Sequence, residues 1–142
     1  MSSSVTSSRA AEPVGKFPHA RRVGNLLFLS GIGPRVRGSQ DIPGVVLDTE
    51  GNVVAKDIIA QCRSVFANVR AILEDAGTTW ERLVDVTVFL TDMKTDFEAY
   101  NRMWAEHFRD AQPCRTTVEV TRLPTPIAIE LKCIATMPEE TP

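Results

Sequence analysis

Residues 113–135 read PCRTTVEVTRLPTPIAIELKCIA, and the rest of the chain can be interpreted outward from this stretch. Residues alternate in polarity over 116–120, and an apolar run covers 127–134, which predicts two strands. Pro124 and Pro126 lie between them. Because a proline cannot donate a backbone hydrogen bond to a ladder, these two residues predict a rigid connection between the strands.

Each of these strands carries one charge of opposite sign. Arg115 lies at the start of the first strand, and Glu130 lies in the second, within a run too apolar to face only solvent. A guanidinium can hold a carboxylate through paired hydrogen bonds, and a nearby carboxylate can hold a water. The residues therefore predict either a hydrolytic pair or, as the ordinary alternative, a cross-strand ion pair.

The remaining elements follow from periodicity and from turn residues. Spacing of three and four predicts helices at 57–76, ending at Gly77, and at 93–108, with Thr95 or Asp96 near its start. The predicted strands and turns are a hairpin of 19–23 and 26–29, a long loop over 32–56 with small strands at 45–47 and 52–54, a short helical turn capped by Thr79, and a strand at 83–90. This order predicts an α+β fold, a mixed sheet with helices on one face. The other face of the sheet then needs a partner.

Length and composition describe one ordinary domain. The chain has 142 residues, 43% of them hydrophobic and 24% charged, with a net charge of −2. This balance argues against a nucleic-acid or membrane-surface partner, and no run reaches the length of a membrane span. Residues 1–12 are expected to form a flexible tail, with neither a signal peptide nor a span in the Ser/Thr-rich start, and residues 13–138 a single domain.

The cysteines favour a reducing compartment. Cys62, Cys114 and Cys133 form an odd set without metal-ligand spacing, so we expect no disulfide, no metal and a cytoplasmic location. Cys114 adjoins Arg115, which leaves a nucleophilic thiol as a minor alternative. No glycine-rich phosphate loop or nucleotide fingerprint is present, which predicts a site without a cofactor.

The pattern Arg-x-x-Val-x-Val-x-x-Leu-Pro at 115–124, followed by Ile-Glu and Ile-Ala, resembles the signature of the RidA/YjgF family of enamine/imine deaminases. The resemblance extends from about Gly15 to Ala135. It implies a chorismate-mutase-like fold of the bacillus type, assembled into a barrel-like homotrimer with sites at the subunit interfaces.

The resemblance also implies roles for single residues. Arg115 matches the arginine that binds the substrate carboxylate, and Glu130 matches the acid that positions or activates water. Ser30, Gly31 and Asn101 match family positions that make polar contacts to the substrate. The pair Ser30-Gly31 is also typical of a turn that ends a strand. Phe17 stands where many relatives have tyrosine, and Thr117 stands where several have cysteine, which indicates a pocket for a different substrate.

Within the family, the long loop and the Pro-His-Ala-Arg-Arg stretch at 18–22 are most similar to the 2-aminomuconate deaminase subgroup. Its substrate is a dicarboxylate of aromatic-compound catabolism, so a second cationic contact is expected. We place that contact on Arg35 or Arg37, with His19 and Arg22 as reserves, although loop arginines can equally form a solvated face. A general 2-imino acid deaminase and a non-enzymatic trimeric module that binds small acids remain the alternatives.

Overall fold

A computed structural model describes residues 2–139 of the chain. It contains a six-stranded sheet, a separate two-stranded hairpin and two long helices. The elements are β1 (Ser2–Val5), β2 (Ala20–Val23), β3 (Leu26–Leu29), β4 (Val45–Leu47), β5 (Val53–Lys56), α1 (Ile58–Ala76), a 3-10 turn (Trp80–Arg82), β6 (Leu83–Leu90), α2 (Met93–His107), β7 (Cys114–Glu119) and β8 (Ile129–Thr136). No helix in this part of the chain is both long and apolar enough to cross a membrane.

The large sheet has the strand order β1-β2-β3-β8-β6-β7. The pair β6–β7 is parallel and every other pair is antiparallel, so the sheet is mixed. Strands β7 and β8 do not pair with each other, because β6 lies between them. The cross-strand ion pair considered for Arg115 and Glu130 is therefore wrong.

Both helices pack on one face of this sheet, which confirms the predicted α+β class. Alternate residues of β8 are buried on that face, at Ile129, Leu131, Cys133 and Ala135. Side chains from α1 and α2, including Phe66 and Tyr100, complete the core.

The helix ends follow capping chemistry. Asp57 caps α1 by accepting hydrogen bonds from the backbone of Ile59 and Ala60, and Gly77 ends it with a φ of 92°. Helix α2 is capped by Asp92, which accepts from the Thr95 backbone nitrogen, and Thr95 and Asp96 lie near its start as predicted. Thr79 precedes the 3-10 turn but makes no side-chain capping bond there.

The start of the chain corrects the expected flexible tail. Strand β1 pairs with β2, and Ser7 is fully buried. Its hydroxyl donates to Asp75 of α1 over 2.7 Å and accepts from the backbone of Arg9 and Ala10. Composition suggested disorder because Ser and Thr are polar, but here the backbone of β1 pairs with β2 and the Ser7 hydroxyl is hydrogen-bonded to α1. We call residues 7–12 the N-terminal strap.

No helix among residues 2–139 covers the opposite face of the sheet. One row across it follows from strand pairing and runs through Arg21, Phe28, Ile134, Asp85 and Cys114. Apolar side chains on this uncovered face include Val23, Leu26 and Val118, which are 49%, 38% and 37% exposed. A sheet of this kind exposes apolar area that a partner could bury.

Candidate functional site

Arg115 lies on the helix-covered face of β7, where its guanidinium rests on the side of α2. The guanidinium carbon is 5.1 Å from the ring centres of both Tyr100 and Trp104, and 6.0 Å from that of Phe97. Its Nη1 donates to the Asn101 amide oxygen over 2.9 Å. Within residues 2–139 it makes no ion pair, so its charge is available to an external anion.

Helix geometry explains why several side chains of α2 contact the Arg115 guanidinium. Residues three and four positions apart share one side of a helix, so Phe97, Tyr100, Asn101 and Trp104 converge on the same strand. The Tyr100 hydroxyl and the Thr117 hydroxyl are 2.8 Å apart, which joins α2 to β7 two residues from Arg115. Burial raises the pKa of Tyr100, so its phenol remains protonated as a hydrogen-bonding group.

Aromatic residues at helical spacing more often form core than a binding site, and the sequence did not predict that those of α2 would position Arg115. Tyr100 is indeed fully buried, but Phe97 and Trp104 are only partly buried. The spacing of these residues around Asn101 was the available signal. An aromatic ring attracts a cation placed over its face, so the same stripe forms core and also orients the arginine.

Glu130 lies on β8 with its carboxyl group against Gly31. A Cβ atom at position 31 would be 2.7 Å from Glu130 Oε2, so a side chain there would displace the carboxyl group from this position. Burial raises the pKa of the Glu130 carboxyl above its ordinary value of 4.5. Such a group can both accept and return a proton closer to neutral pH than an exposed glutamate can.

Strand register places Arg115 and Glu130 on opposite faces of the sheet. Arg115 of β7 and Cys133 of β8 both pair with Val86 of β6, so these three share a face. Glu130 is three residues from Cys133 on the same strand and therefore points to the other face. The predicted hydrolytic pair is not formed within one protomer.

Gly31, which the Glu130 carboxyl group approaches, directly follows Ser30, and Ser30 and Phe17 line one cavity. Ser30 ends the hairpin of β2 and β3, and its hydroxyl donates to the Pro18 carbonyl over 2.7 Å. Phe17 is 42% exposed. A cavity of about 30 Å³ beside them is also lined by Arg35 and by the N-terminal strap, room for about one water molecule.

The residues predicted to bind a second carboxylate have different roles. His19 is 2% exposed, its Nδ1 accepts from the Ser7 backbone and its Nε2 donates to the Ala11 carbonyl, so the ring holds the N-terminal strap. Arg37 donates to the carbonyls of Ser7 and Ala10 and pairs with Glu12 at 2.9 Å. These bonds occupy both side chains, which corrects their placement in a substrate site.

The other two arginines differ from each other. Arg22 lies on β2 and donates from Nε to the Gly24 carbonyl over 3.0 Å, which ties it to the adjoining turn. Arg35 donates from Nη2 to the Glu12 carbonyl over 2.6 Å and lines the cavity that Phe17 and Ser30 also line. Of the predicted set, His19 and Arg35 both line this cavity, and Arg35 is the one arginine among those predicted that does so.

Two further predictions concern cysteine and metal chemistry. Cys114 is exposed and lies on the uncovered face, opposite to Arg115, because neighbouring residues of a strand alternate. Among the residues that the structure describes, no group of three His, Cys, Asp or Glu side chains could hold a metal ion.

The structure is that of a small α+β protein in which the Arg115 guanidinium lies on aromatic rings of α2 and the Glu130 carboxyl group lies against Gly31. The model of the family described as Endoribonuclease L-PSP matches residues 7–137, and the chain belongs to this family. A RutC family protein of Pyrococcus abyssi is 37% identical over 132 residues, covering 92% of this chain and 94% of the relative. The predicted RidA/YjgF membership is confirmed.

Two further relatives are informative. The chloroplastic Reactive Intermediate Deaminase A of Arabidopsis thaliana is 31% identical over 133 residues, covering 94% of this chain and 65% of the relative. The crystal structure of E. coli TdcF with bound serine superposes with a TM-score of 0.82 and 27% identity, covering 96% of this chain and 99% of that one.

Proposed function

We propose that this protein is a hydrolytic deaminase of enamine and imine acids that needs no cofactor. The observation that carries the proposal is the guanidinium of Arg115, which lies on aromatic rings without an acidic partner among the described residues. A carboxylate substrate would supply the missing charge. The relative named Reactive Intermediate Deaminase A and the serine bound to TdcF support a small amino- or imino-acid ligand.

The chemistry requires few groups, because an imine carbon is already electrophilic. After the enamine tautomerises to its imine, Arg115 binds the carboxylate and stabilises negative charge beside the reacting carbon. Glu130 removes a proton from water as the oxygen bonds to that carbon, and the carboxyl returns this proton to the imine nitrogen, giving a neutral carbinolamine. Glu130 then takes the proton of the new hydroxyl group and passes it to the amino nitrogen. The carbon–oxygen double bond forms as the carbon–nitrogen bond breaks, and ammonia and a 2-oxo acid are released.

We further propose that each site is completed between two copies of the chain. Arg115 and Glu130 face opposite sides of one sheet, so a single protomer offers only half of the machinery. The uncovered face that bears Glu130 also carries exposed apolar side chains. A homotrimer closed by this face would bring Arg115 of one copy to Glu130 of the next.

Mixing two inactive variants tests this arrangement. Arg115→Ala and Glu130→Gln chains should each be nearly inactive in ammonia release from a 2-imino acid. After unfolding and refolding together, about a quarter of the sites in random mixed trimers would combine both native residues, so activity should reappear. Failure of the mixture to regain activity, with trimers formed, would place both residues in one protomer and reject the shared site.

A nucleic-acid function has less support, although the family description names an endoribonuclease. The chain carries a net charge of −2, whereas binding to a polyanion depends on an excess of lysine and arginine at the surface. The absence of a nucleic-acid partner remains a prediction.

The finer proposal is that the substrate is the dicarboxylate 2-aminomuconate. The observation in its favour is Arg35, which lines the same small cavity as Phe17 and Ser30. Arg35→Ala should weaken transition-state binding of the dicarboxylate by about 2–5 kcal/mol and leave that of a monocarboxylate imine nearly unchanged. Competing kcat/KM measurements on the two substrates check this.

Arg37→Ala is the matched control, because it removes the same charge from a side chain bound to the strap. It should lower stability and affect both substrates equally. If Arg35→Ala lowered kcat/KM equally for the dicarboxylate and the monocarboxylate, the function would be that of a general 2-imino acid deaminase.

A further inference from the structure

His19 holds the N-terminal strap through a hydrogen bond that only an uncharged imidazole can accept. The Ser7 backbone N–H donates to its Nδ1 over 2.9 Å, so Nδ1 carries no proton, and Nε2 donates to the Ala11 carbonyl over 2.7 Å. A second proton on the ring would go to Nδ1 and face the Ser7 N–H. The ring is 2% exposed, so the strap has to move before water can take the place of Ser7.

Ser7 lies between His19 and an acid of α1. Its backbone nitrogen bonds to the His19 ring, and its hydroxyl donates to Asp75 Oδ2 over 2.7 Å. Hydrogen bonds from Arg9 and Ser7 hold the pKa of the Asp75 carboxyl below its ordinary value, and a charged His19 lowers it further. Asp75 is therefore ionised where histidines titrate, and its charge attracts an imidazolium across Ser7.

The charges around the strap do not compensate for a proton on His19 while the strap is in place. The charged side chains that bond to the strap or form part of it are Arg9, Glu12, Arg35, Arg37, Glu74 and Asp75. Each carboxylate among them already pairs with an arginine. Asp75 is 2.8 Å from Arg9, so movement of residues 7–10 would take Arg9 away and leave Asp75 to a charged His19.

We propose that the strap is a pH-sensitive element, closed over a neutral His19 and opened at residues 7–10 when His19 gains a proton. The bond from Nε2 to the Ala11 carbonyl suits both charge states and keeps the strap attached there. Ala10 lines the cavity beside Phe17 and Ser30, so its departure widens that cavity. The inference is independent of the deaminase proposal, because it involves neither Arg115 nor Glu130.

The direction of the pH dependence follows from which state binds the proton. The open strap leaves Nδ1 free to be protonated and the closed strap does not, so opening is favoured as pH falls. Histidine ordinarily changes charge between about pH 5 and 8, which is the range to examine.

Amide hydrogen exchange, measured by NMR over this range and corrected for intrinsic rates, tests the proposal. The Ser7 and Ala10 amides report on the strap, because they donate to His19 Nδ1 and to the Ser7 hydroxyl. The Ile32 amide, which donates to the Leu131 carbonyl within the sheet, reports on global unfolding. Ser7 and Ala10 should be less protected than Ile32, and their protection should fall by up to about tenfold for each pH unit below the midpoint of the His19 titration.

The variant His19→Gln removes the titration and keeps both bonds, since an amide oxygen can accept from Ser7 and an amide nitrogen can donate to Ala11. Its strap protection should not depend on pH. His107→Gln is the matched control, because His107 is the other histidine of the chain. Its Nδ1 donates to the Met103 carbonyl over 2.8 Å, so Nε2 can take a proton without loss of that bond, and the variant should behave like the wild type.

Constant protection of Ser7 in the wild type while the His19 ring signals titrate would overturn the proposal. The same fall of protection in His19→Gln would assign the effect to another group, and equal protection of Ser7 and Ile32 would assign it to global unfolding; either result also overturns it. Comparison of the wild type with His107→Gln decides the question even where His19→Gln does not fold.

Discussion

At the scale of single residues, the planar guanidinium of Arg115 lies on planar aromatic rings, and this contact positions its charge. Lysine carries the same charge but has neither the fork that holds a carboxylate nor the plane that stacks on Tyr100 and Trp104. Arg115→Lys should therefore lose nearly as much kcat/KM as Arg115→Ala, about 2–5 kcal/mol of transition-state binding. Steady-state kinetics with a 2-imino acid would show it. A lysine variant near wild-type activity would argue against carboxylate binding at this position.

The raised pKa of Glu130 predicts how kcat/KM depends on pH. Its folded-state pKa is raised by burial above 4.5, so the carboxylate needed to activate water is lost as pH falls through that raised value. The acidic limb of the kcat/KM profile should then lie above pH 4.5. Glu130→Gln should keep substrate binding, lower kcat and flatten this limb. If the acidic part of the kcat/KM profile were unchanged in Glu130→Gln, a group other than Glu130 would be responsible for it.

The same shift has a consequence for stability. A raised pKa means that the folded state binds this proton more tightly than the unfolded state does. Below 4.5 the carboxyl is protonated in both states. As pH rises from there to the folded value, the carboxyl ionises in the unfolded chain but keeps its proton in the folded protein, which progressively lowers the free energy of unfolding of the wild type. The free energy of unfolding of Glu130→Gln, relative to wild type, should therefore increase over that interval. Urea titrations of both proteins on either side of the interval measure it.

At the scale of elements, the N-terminal strap is held by Ser7. Its hydroxyl takes part in three hydrogen bonds while fully buried, so Ser7→Ala leaves the Asp75 carboxylate and two backbone N–H groups without this partner. We expect a loss of about 1–3 kcal/mol in the free energy of unfolding. Ser8→Ala, at the exposed neighbouring position, should change it by less than about 0.5 kcal/mol. Equal effects would mean that the strap is not fastened by this hydroxyl.

The elements with a strong local signal were predictable. The spacing of α1 and the Gly77 stop depend on residues close in sequence. The helix was predicted over 57–76 and runs over Ile58–Ala76, with Asp57 as its cap and Gly77 ending it. The hairpin strands at 45–47 and 53–56 were also close to expectation. The strap was missed because its bonds are long-range: Ser7 contacts Asp75, and Arg37 reaches back to Ala10. Nothing in the local pattern at 1–12 encodes those partners.

The site was predictable in its parts but not in its geometry. Motif resemblance identified Arg115 and Glu130, and charge spacing suggested that they meet. The insertion of β6 between β7 and β8 separates them, and only strand order and register reveal that they face opposite sides. Sheet order is a non-local property, since it is decided by which apolar faces pack together rather than by the strands' own residues.

At the scale of the whole molecule, the sheet has one face under helices and one face without them. Ile134 lies near the middle of the uncovered face, between Phe28 and Asp85 in adjoining strands. If three copies close over this face, a charge at Ile134 would be buried without a partner and would oppose assembly. Ile134→Glu should therefore give monomers in sedimentation at micromolar concentration, whereas the wild type sediments as a trimer.

The same variant links assembly to activity. Because the proposed site takes Arg115 from one copy and Glu130 from another, monomers of Ile134→Glu should keep their circular dichroism spectrum and lose deamination. Val54→Glu is the control, since Val54 is 61% exposed on the separate hairpin and the charge there remains in water. It should sediment and react like the wild type. Fully active monomers would show that one protomer suffices, and a monomeric wild type would reject the trimer together with the shared site.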